Sequence, residues 1–219
     1  FSRTSEGSEI YELNHASGEP VTLSGDTVDL IQKGVEYSRL ADGKFDITIA
    51  PLSDLWDFKN NTGTVPDDAA IQEAKRHIGY ENVRVDGNTV QLLDPEAAID
   101  LGGIAKGYTS QRIAKVYKED GVKSGVISLG GNVQAIGTKT DGSRWKVGVQ
   151  SPDDTENMIG AYEAADEAVI TSGAYERYFE KNGKRYHHII DPATGKPSEK
   201  NLKSVTIISK NGTLSDTLS

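Results

Sequence analysis

Residues 82–93, NVRVDGNTVQLL, alternate apolar and polar side chains with period two on either side of Asp86-Gly87-Asn88. Alternation places one face of each arm on a core, and the Asp-Gly-Asn step joins the arms tightly, so this stretch specifies an antiparallel hairpin rather than a crossover. The same punctuation recurs at Asn182-Gly183. VISLGGNVQAIG, RWKVGVQ, YEAADEAVITSG and SVTIISK read as further strands, and GKFDITIAPLSDLWDF as a strand through Phe45, Ile47 and Ile49 that stops at Pro51. Helical spacing is rarer. Residues 24–41 put Val28, Ile31, Val35 and Leu40 on one face of a surface helix behind a capping Ser24 or Asp26. DDAAIQEAKRHIG reads as a helix from Asp67 or Asp68 to Gly79, and a third follows a glycine turn with Ile113, Ala114 and Tyr117 on its apolar face. Asn60 to Pro66 is a polar loop. Strands outnumber helices and pair as hairpins. That pattern predicts an α+β fold, one mixed α/β domain over residues 1–219 with antiparallel hairpins and flanking helices.

Composition removes several classes of function. A formal net charge of −9 argues against nucleic acid as the partner, because phosphate backbones are bound by basic faces. Any anionic ligand therefore needs local help from a lysine, a helix N-terminus or a metal ion. With no cysteine the chain has no disulfide, no thiolate nucleophile and no cysteine-ligated metal, which suits an extracytoplasmic life. No apolar run approaches the roughly 20 residues needed to span a bilayer, and no segment reads as a signal peptide. The sequence opens on Phe1 and stops at Ser219 inside an incipient helix, so both ends read as cut.

Four stretches could carry chemistry. In AIDLGGIAKGY, residues 98–108, an apolar strand ends at Asp100, turns through Gly102 and Gly103, and enters a helix near Lys106. Glycines let backbone approach a bulky anion and the helix start aims N–H groups at it, although a tight strand-to-helix turn with an exposed lysine needs the same residues. The spacing matches neither GxGxxG nor the Walker pattern. In SLGGNVQAIG, Gly130-Gly131 before Asn132 marks a bulge or a close approach. Thr171-Ser172-Gly173 is a small polar step after an apolar strand, and RYHHIIDPATGKP follows with adjacent His187 and His188 before Asp191. Neighbours on a strand face opposite sides, so one histidine can be solvated and the other satisfied in the core; one of them can equally be a proton acceptor. Asp216, after Ser215, can cap a helix or offer hard oxygen to magnesium.

Taken in order, SEIYELN, GKFDITIAPLSDLW, DLGGIAKGY, SLGGN, TSGAYERYF, HHIIDPATG and SDTLS resemble the ApbE-like family of FAD:protein FMN transferases, and the likeness covers nearly the whole chain. The resemblance implies one FAD-binding flavin-transferase domain that moves FMN from FAD to a threonine or serine hydroxyl of an acceptor protein and releases AMP. The acceptor would carry an FMN-binding domain, as in the flavinylation of electron-transfer proteins. It also implies that Asn14, Lys44, Phe45, Asp46, Asp100, Lys106, Thr171, Ser172, Gly173 and Ile190 lie along FAD. Gly103 through its carbonyl, Asp216 and Ser219 would hold Mg2+, and His188 with Asp216 would be catalytic, His188 as the base. Relatives of this kind are mostly exported lipoproteins of the bacterial surface or periplasm, so an extracytoplasmic location and a lipid anchor outside the given sequence are expected. Two other readings stay open: water attacking in place of the acceptor, which makes a magnesium-dependent FAD pyrophosphatase, and a flavin-binding module without catalysis.

Overall fold

A cap sets the first element: the Ser8 side chain accepts from the Tyr11 amide and starts α1 (Glu9–Asn14). The computed structural model describes residues 1–60 and 63–219, so the polar loop from Asn60 to Pro66 falls partly outside the described residues. The chain forms two compact units, Phe1–Leu101 with Glu176–Lys200, and Gly102–Tyr175 with Asn201–Ser219. After α1 the first unit continues with β1 (Val21–Thr22), α2 (Gly25–Leu40), α3 (Ala50–Trp56), α4 (Asp68–Arg76), β2 (Val83–Asp86) and β3 (Thr89–Leu92). The second carries α5 (Ala105–Glu119), β4 (Gly125–Leu129), β5 (Asn132–Ile136), β6 (Trp145–Gln150), β7 (Met158–Ala164) and β8 (Ala168–Gly173). The first resumes with β9 (Tyr178–Lys181), β10 (Lys184–His187), β11 (Ile190–Asp191) and β12 (Lys196–Pro197), and the second closes with β13 (Ser204–Ser209) and α6 (Gly212–Leu218).

In the first unit the Asp86-Gly87-Asn88 hairpin forms as its sequence dictates: β2 pairs antiparallel with β3, Asp86 opposite Thr89, and Gly87 takes φ 56° in the turn. β1 adds to the other edge of β3. α2 buries Val28 and Ile31 as expected, but its face continues through Gly34 and Ser38, and Leu40 is exposed. The reason is Ile47, whose side chain lies where a Cβ on Gly34 would be, 2.7 Å away, and whose amide donates to the Ser38 hydroxyl. The strand expected through Phe45, Ile47 and Ile49 is absent, leaving one bridge between Ile49 and Ala98, and α3 starts directly after it. Here a side chain outcompetes the ladder. The Asp46 carboxylate accepts from both the amide and the hydroxyl of Thr48, which curls the backbone into a turn, and Pro51 then sits in the first turn of α3. The apolar strand expected before Asp100 is likewise absent beyond the Ala98 bridge, because Asn14 takes up both backbone groups of Ile99.

The core under α3 and α4 is aromatic. Trp56 and Phe179 are buried, Phe58 and Tyr186 stack among them, and Ile71 and Leu52 complete the cluster. Each such side chain contributes about 1.5–3 kcal/mol by leaving water. The Trp56 indole N–H donates to the Gly195 carbonyl at 2.8 Å, tying the β11–β12 ribbon to the core. Gly195 has φ 70°, and a Cβ there would stand 2.5 Å from Ile71, so glycine is required twice over.

His77 ends α4 and binds three acidic side chains of this unit. Its Nδ1 is 2.8 Å from Asp94, while Nε2 faces Glu96 at 3.4 Å and Glu73 at 3.8 Å. The Asp94 hydrogen bond raises the imidazole pKa above its ordinary value; burial opposes it and the carboxylate charges reinforce it. A raised folded pKa means the protonated ring stabilises the fold fully below the unfolded value of about 6.5, and that contribution fades as pH rises through the folded value. Urea melts of the wild type and His77→Gln should therefore differ more at about pH 6 than at about pH 9. A difference that does not change with pH would leave His77 a packing residue only.

The second unit is built on a four-stranded antiparallel sheet in the order β13-β8-β5-β4, with β6 and β7 as a separate ribbon bulged at Val149/Gln150. YEAADEAVITSG, expected as one strand, splits into β7 and β8 at Asp166, which has φ 55°. α5 buries Ala114 against Ile127 and Ile136 of the sheet, with Ile113 partly packed; Tyr108 is buried as well, and Tyr117, expected on the apolar face, is exposed. α6 crosses α5 at two glycines: a Cβ on Gly107 would lie 2.2 Å from the Gly212 carbonyl oxygen and 2.6 Å from the Asp216 Cβ. No side chain fits at Gly107 without separating the helices. Among the described residues no helix is long and apolar enough to cross a membrane.

Candidate functional site

The close crossing of α5 and α6 determines what Asp216 does. Asp216 was expected at a helix start, but it lies in the body of α6, whose cap is Asn211 accepting from the Leu214 amide. Its carboxylate turns outward from its own helix to the start of α5 instead, where Oδ2 accepts from the Gly107 amide at 2.8 Å. Amides in the first turn have no intrahelical partner and carry the positive end of the helix dipole, so a carboxylate is stabilised there. Oδ1 accepts from the Asn132 side chain at 2.8 Å, and Asn132 in turn accepts from the Lys106 ammonium at 3.2 Å. Asp216 is only 6% exposed and Asn132 1%, while Lys106 is half-buried and Gly103 exposed in the turn before α5.

Ser219 and the end of β8 adjoin in the same unit. The Ser172 and Ser219 hydroxyls are 2.7 Å apart, and Ser219 donates to the Asp216 carbonyl. Thr171 pairs with Thr206 across β8 and β13 at 2.8 Å, and Gly173 is buried where any Cβ would strike the Tyr175 ring. Thus Lys106, Asp216, Ser172 and Ser219, which are far apart in sequence, form connected hydrogen bonds within one unit.

The remaining candidates lie in the first unit. Asn14 is committed to Ile99 through both ends of its amide, at 2.9 and 2.8 Å. Asp100 accepts from Arg3 Nε at 3.0 Å, and Arg3 also pairs with Asp54; burial works to lower the guanidinium pKa, but these carboxylates together hold it up. Burial pushes the Asp46 carboxyl above the usual range, against hydrogen bonds from Thr48 and the Tyr80 amide. That carboxylate organises its own loop. Lys44 is exposed, Phe45 half-buried, and Ile190 packs on the aromatic core.

The two histidines part company at the end of β10. The His187 Nε2–H donates to the Ser198 carbonyl at 3.0 Å and Nδ1 accepts from the Ile189 amide, so its ring is used up neutral inside the ribbon. Burial lowers its pKa, in keeping with that. His188 follows the strand and places Nδ1 3.2 Å from the Arg177 carbonyl. A carbonyl only accepts, so Nδ1 carries a proton toward Arg177.

Among the described residues no cluster of three or more His, Asp or Glu forms a metal site. The donors named for magnesium are of another kind: one carboxylate, one carbonyl and one hydroxyl, all hard oxygens. They fit that ion chemically. Each Asp216 oxygen accepts one N–H and keeps lone-pair capacity for a cation. Two residues that bind the candidates were given no role by the sequence, Asn132 on Asp216 and Lys106 and Arg3 on Asp100. Asn132 had a signal, since it directly follows the Gly130-Gly131 turn; Arg3 had none.

Together these features define an α+β protein whose second unit sets a fixed carboxylate and a lysine at the start of one helix. The sequence model of the ApbE family matches residues 1–219, and the chain belongs to that family. It is 39% identical over 206 residues to an FAD:protein FMN transferase of Klebsiella pneumoniae, covering 92% of this chain and 63% of that one. An FAD:protein FMN transferase of Vibrio cholerae is 33% identical over 215 residues, 96% of this chain and 64% of its own length. The chain thus spans under two thirds of these curated relatives. Among solved structures, the ApbE protein of Thermotoga maritima superposes with TM-score 0.93 at 39% identity, covering all of this chain and 72% of its own. The flavin transferase ApbE of Vibrio cholerae does so with TM-score 0.88 at 31% identity, covering all of this chain and 71% of its own. The mixed antiparallel fold is that of these structures.

Proposed function

We propose that this chain transfers FMN from FAD to a threonine or serine hydroxyl of an acceptor protein with the help of Mg2+ and releases AMP. The acceptor oxygen forms a bond to the FMN phosphorus, the bond from that phosphorus to the bridging oxygen breaks, and the electron pair leaves with AMP. His188 Nε2 takes the hydroxyl proton as attack proceeds. Lys106 offers positive charge to the diphosphate in a chain of net charge −9. Asp216, Gly103 and Ser219 would hold the magnesium, which supplies neutralisation of the diphosphate charge when bound. Asn14, Lys44, Phe45, Asp46, Asp100, Thr171, Ser172, Gly173 and Ile190 are assigned to flavin and nucleotide binding, and Asn14 and Asp46 also brace loops of the first unit.

The observation that carries the proposal is the Asp216 carboxylate, buried yet held by two donors at a helix start beside Lys106. A purely structural cap needs no lysine brought to its other side. The test is mass spectrometry of an acceptor domain after incubation with FAD, Mg2+ and this chain. One FMN added at a threonine or serine, with AMP released, is expected. Free FMN and AMP beside an unmodified acceptor would make water the nucleophile, and no AMP under any condition would reduce the chain to a flavin binder.

A further inference from the structure

Lys106 and Asp216 carry opposite charges on neighbouring helices, yet among the described residues no ion pair joins them directly. Asn132 stands between, accepting from Lys106 at 3.2 Å and donating to Asp216 at 2.8 Å. We propose that Asn132 is a positioning residue whose amide holds the lysine off the carboxylate, keeping one charge for an anionic diphosphate and the other for a divalent cation. The inference rests on the function proposed above.

The physical reason lies in the amide's two ends. It is neutral, so it satisfies an ammonium and a carboxylate at once without cancelling either. Its orientation is fixed by those partners, since reversing it would set an N–H against the ammonium and an oxygen against the carboxylate. Its backbone is equally fixed. Asn132 opens β5 opposite Leu129, after a turn in which Gly130 and Gly131 take φ 56° and 91°, and it is only 1% exposed. Asp216 is anchored on the far side by the Gly107 amide, so it cannot turn away. Lysine is the mobile member: four methylenes carry its charge, and one rotamer change would reach the carboxylate if the amide were gone. A direct Lys106–Asp216 pair would bring the ammonium to the very oxygens that a metal needs.

The experiment titrates Mn2+ alone into the full chain and follows the free-ion signal by electron paramagnetic resonance. Asn132→Ala should weaken Mn2+ binding about tenfold by letting Lys106 close on Asp216. Lys106→Met should bind Mn2+ at least as well as wild type, and Asn132→Ala with Lys106→Met should recover the affinity that Asn132→Ala loses. Recovery on removing a second side chain is what mere loss of packing would not produce. If Asn132→Ala does not fold, Asn132→Ser, too short to span the gap, gives the same comparison. The inference is overturned if Asn132→Ala binds Mn2+ like wild type, or if the double variant stays as weak as the single one. Wild type that binds no Mn2+, or binds it unchanged in Asp216→Asn, overturns the metal assignment itself and this inference with it, a pattern distinct from the other two.

Discussion

His188→Ala is expected to slow FMN transfer by about 10²- to 10⁴-fold, the usual contribution of a general base, while FAD binding stays close to wild type. The expectation follows from how the neighbouring histidines are used. His187 spends both ring nitrogens inside the β10–β12 ribbon, whereas His188 leaves the strand and turns its Nδ1–H to the Arg177 carbonyl. His187→Ala should accordingly act mainly on stability, losing two hydrogen bonds worth about 1 kcal/mol each and some packing. Single-turnover rates with a flavinylation acceptor, together with FAD affinity from flavin fluorescence, separate the two. Equal loss of transfer in both variants would mean that the ribbon, rather than one ring, carries the effect. Wild-type rates in His188→Ala would remove the residue from the chemistry.

Asp216→Asn should cost about 10³-fold in magnesium-dependent transfer, a loss of ~4 kcal/mol in transition-state stabilisation, and excess magnesium should not restore it. Its amide oxygen can still accept from Gly107, so the start of α5 keeps its cap, while the site loses its charge and the new NH2 meets the Asn132 NH2 in place of an acceptor. Asp216→Ala is a harsher change. It strands the Gly107 amide and the Asn132 side chain without their acceptor in a buried place, at about 1–3 kcal/mol for each group, and should lower stability as well. Measuring rate against magnesium concentration beside urea melts tests the distinction. Asp216→Asn that melts like wild type and also turns over like wild type would leave Asp216 a helix cap and nothing more.

The sequence showed best where local chemistry and the fold agree. Asp86-Gly87-Asn88 made its hairpin because alternation and turn residues called for the same backbone, and Asp67 capped α4 by accepting from the Ala70 amide. It misled where a side chain redirected the backbone. Phe45 to Ile49 has strand periodicity, but Asp46 and Thr48 offer each other better partners than a ladder does. In the second unit, Lys106 and Asp216, which hydrogen bonds join through Asn132, both stand in motifs that the residue types single out. The Asn132 relay itself could not be read from them, since it joins residues 26 and 84 positions apart, and only folding brings such groups together. Capping by Asp216 was anticipated in kind but placed on the wrong helix, because sequence spacing cannot see a helix that crosses at Gly107 and Gly212.

Crystals grown with FAD and Mn2+, with data collected at the manganese absorption edge, test the central claim most directly. The expected anomalous peak lies against the Asp216 carboxylate and the Gly103 carbonyl, with the FAD diphosphate completing the cation's oxygen shell and Lys106 beside it. A peak away from Asp216, or a diphosphate bound with no cation at that carboxylate, would contradict it.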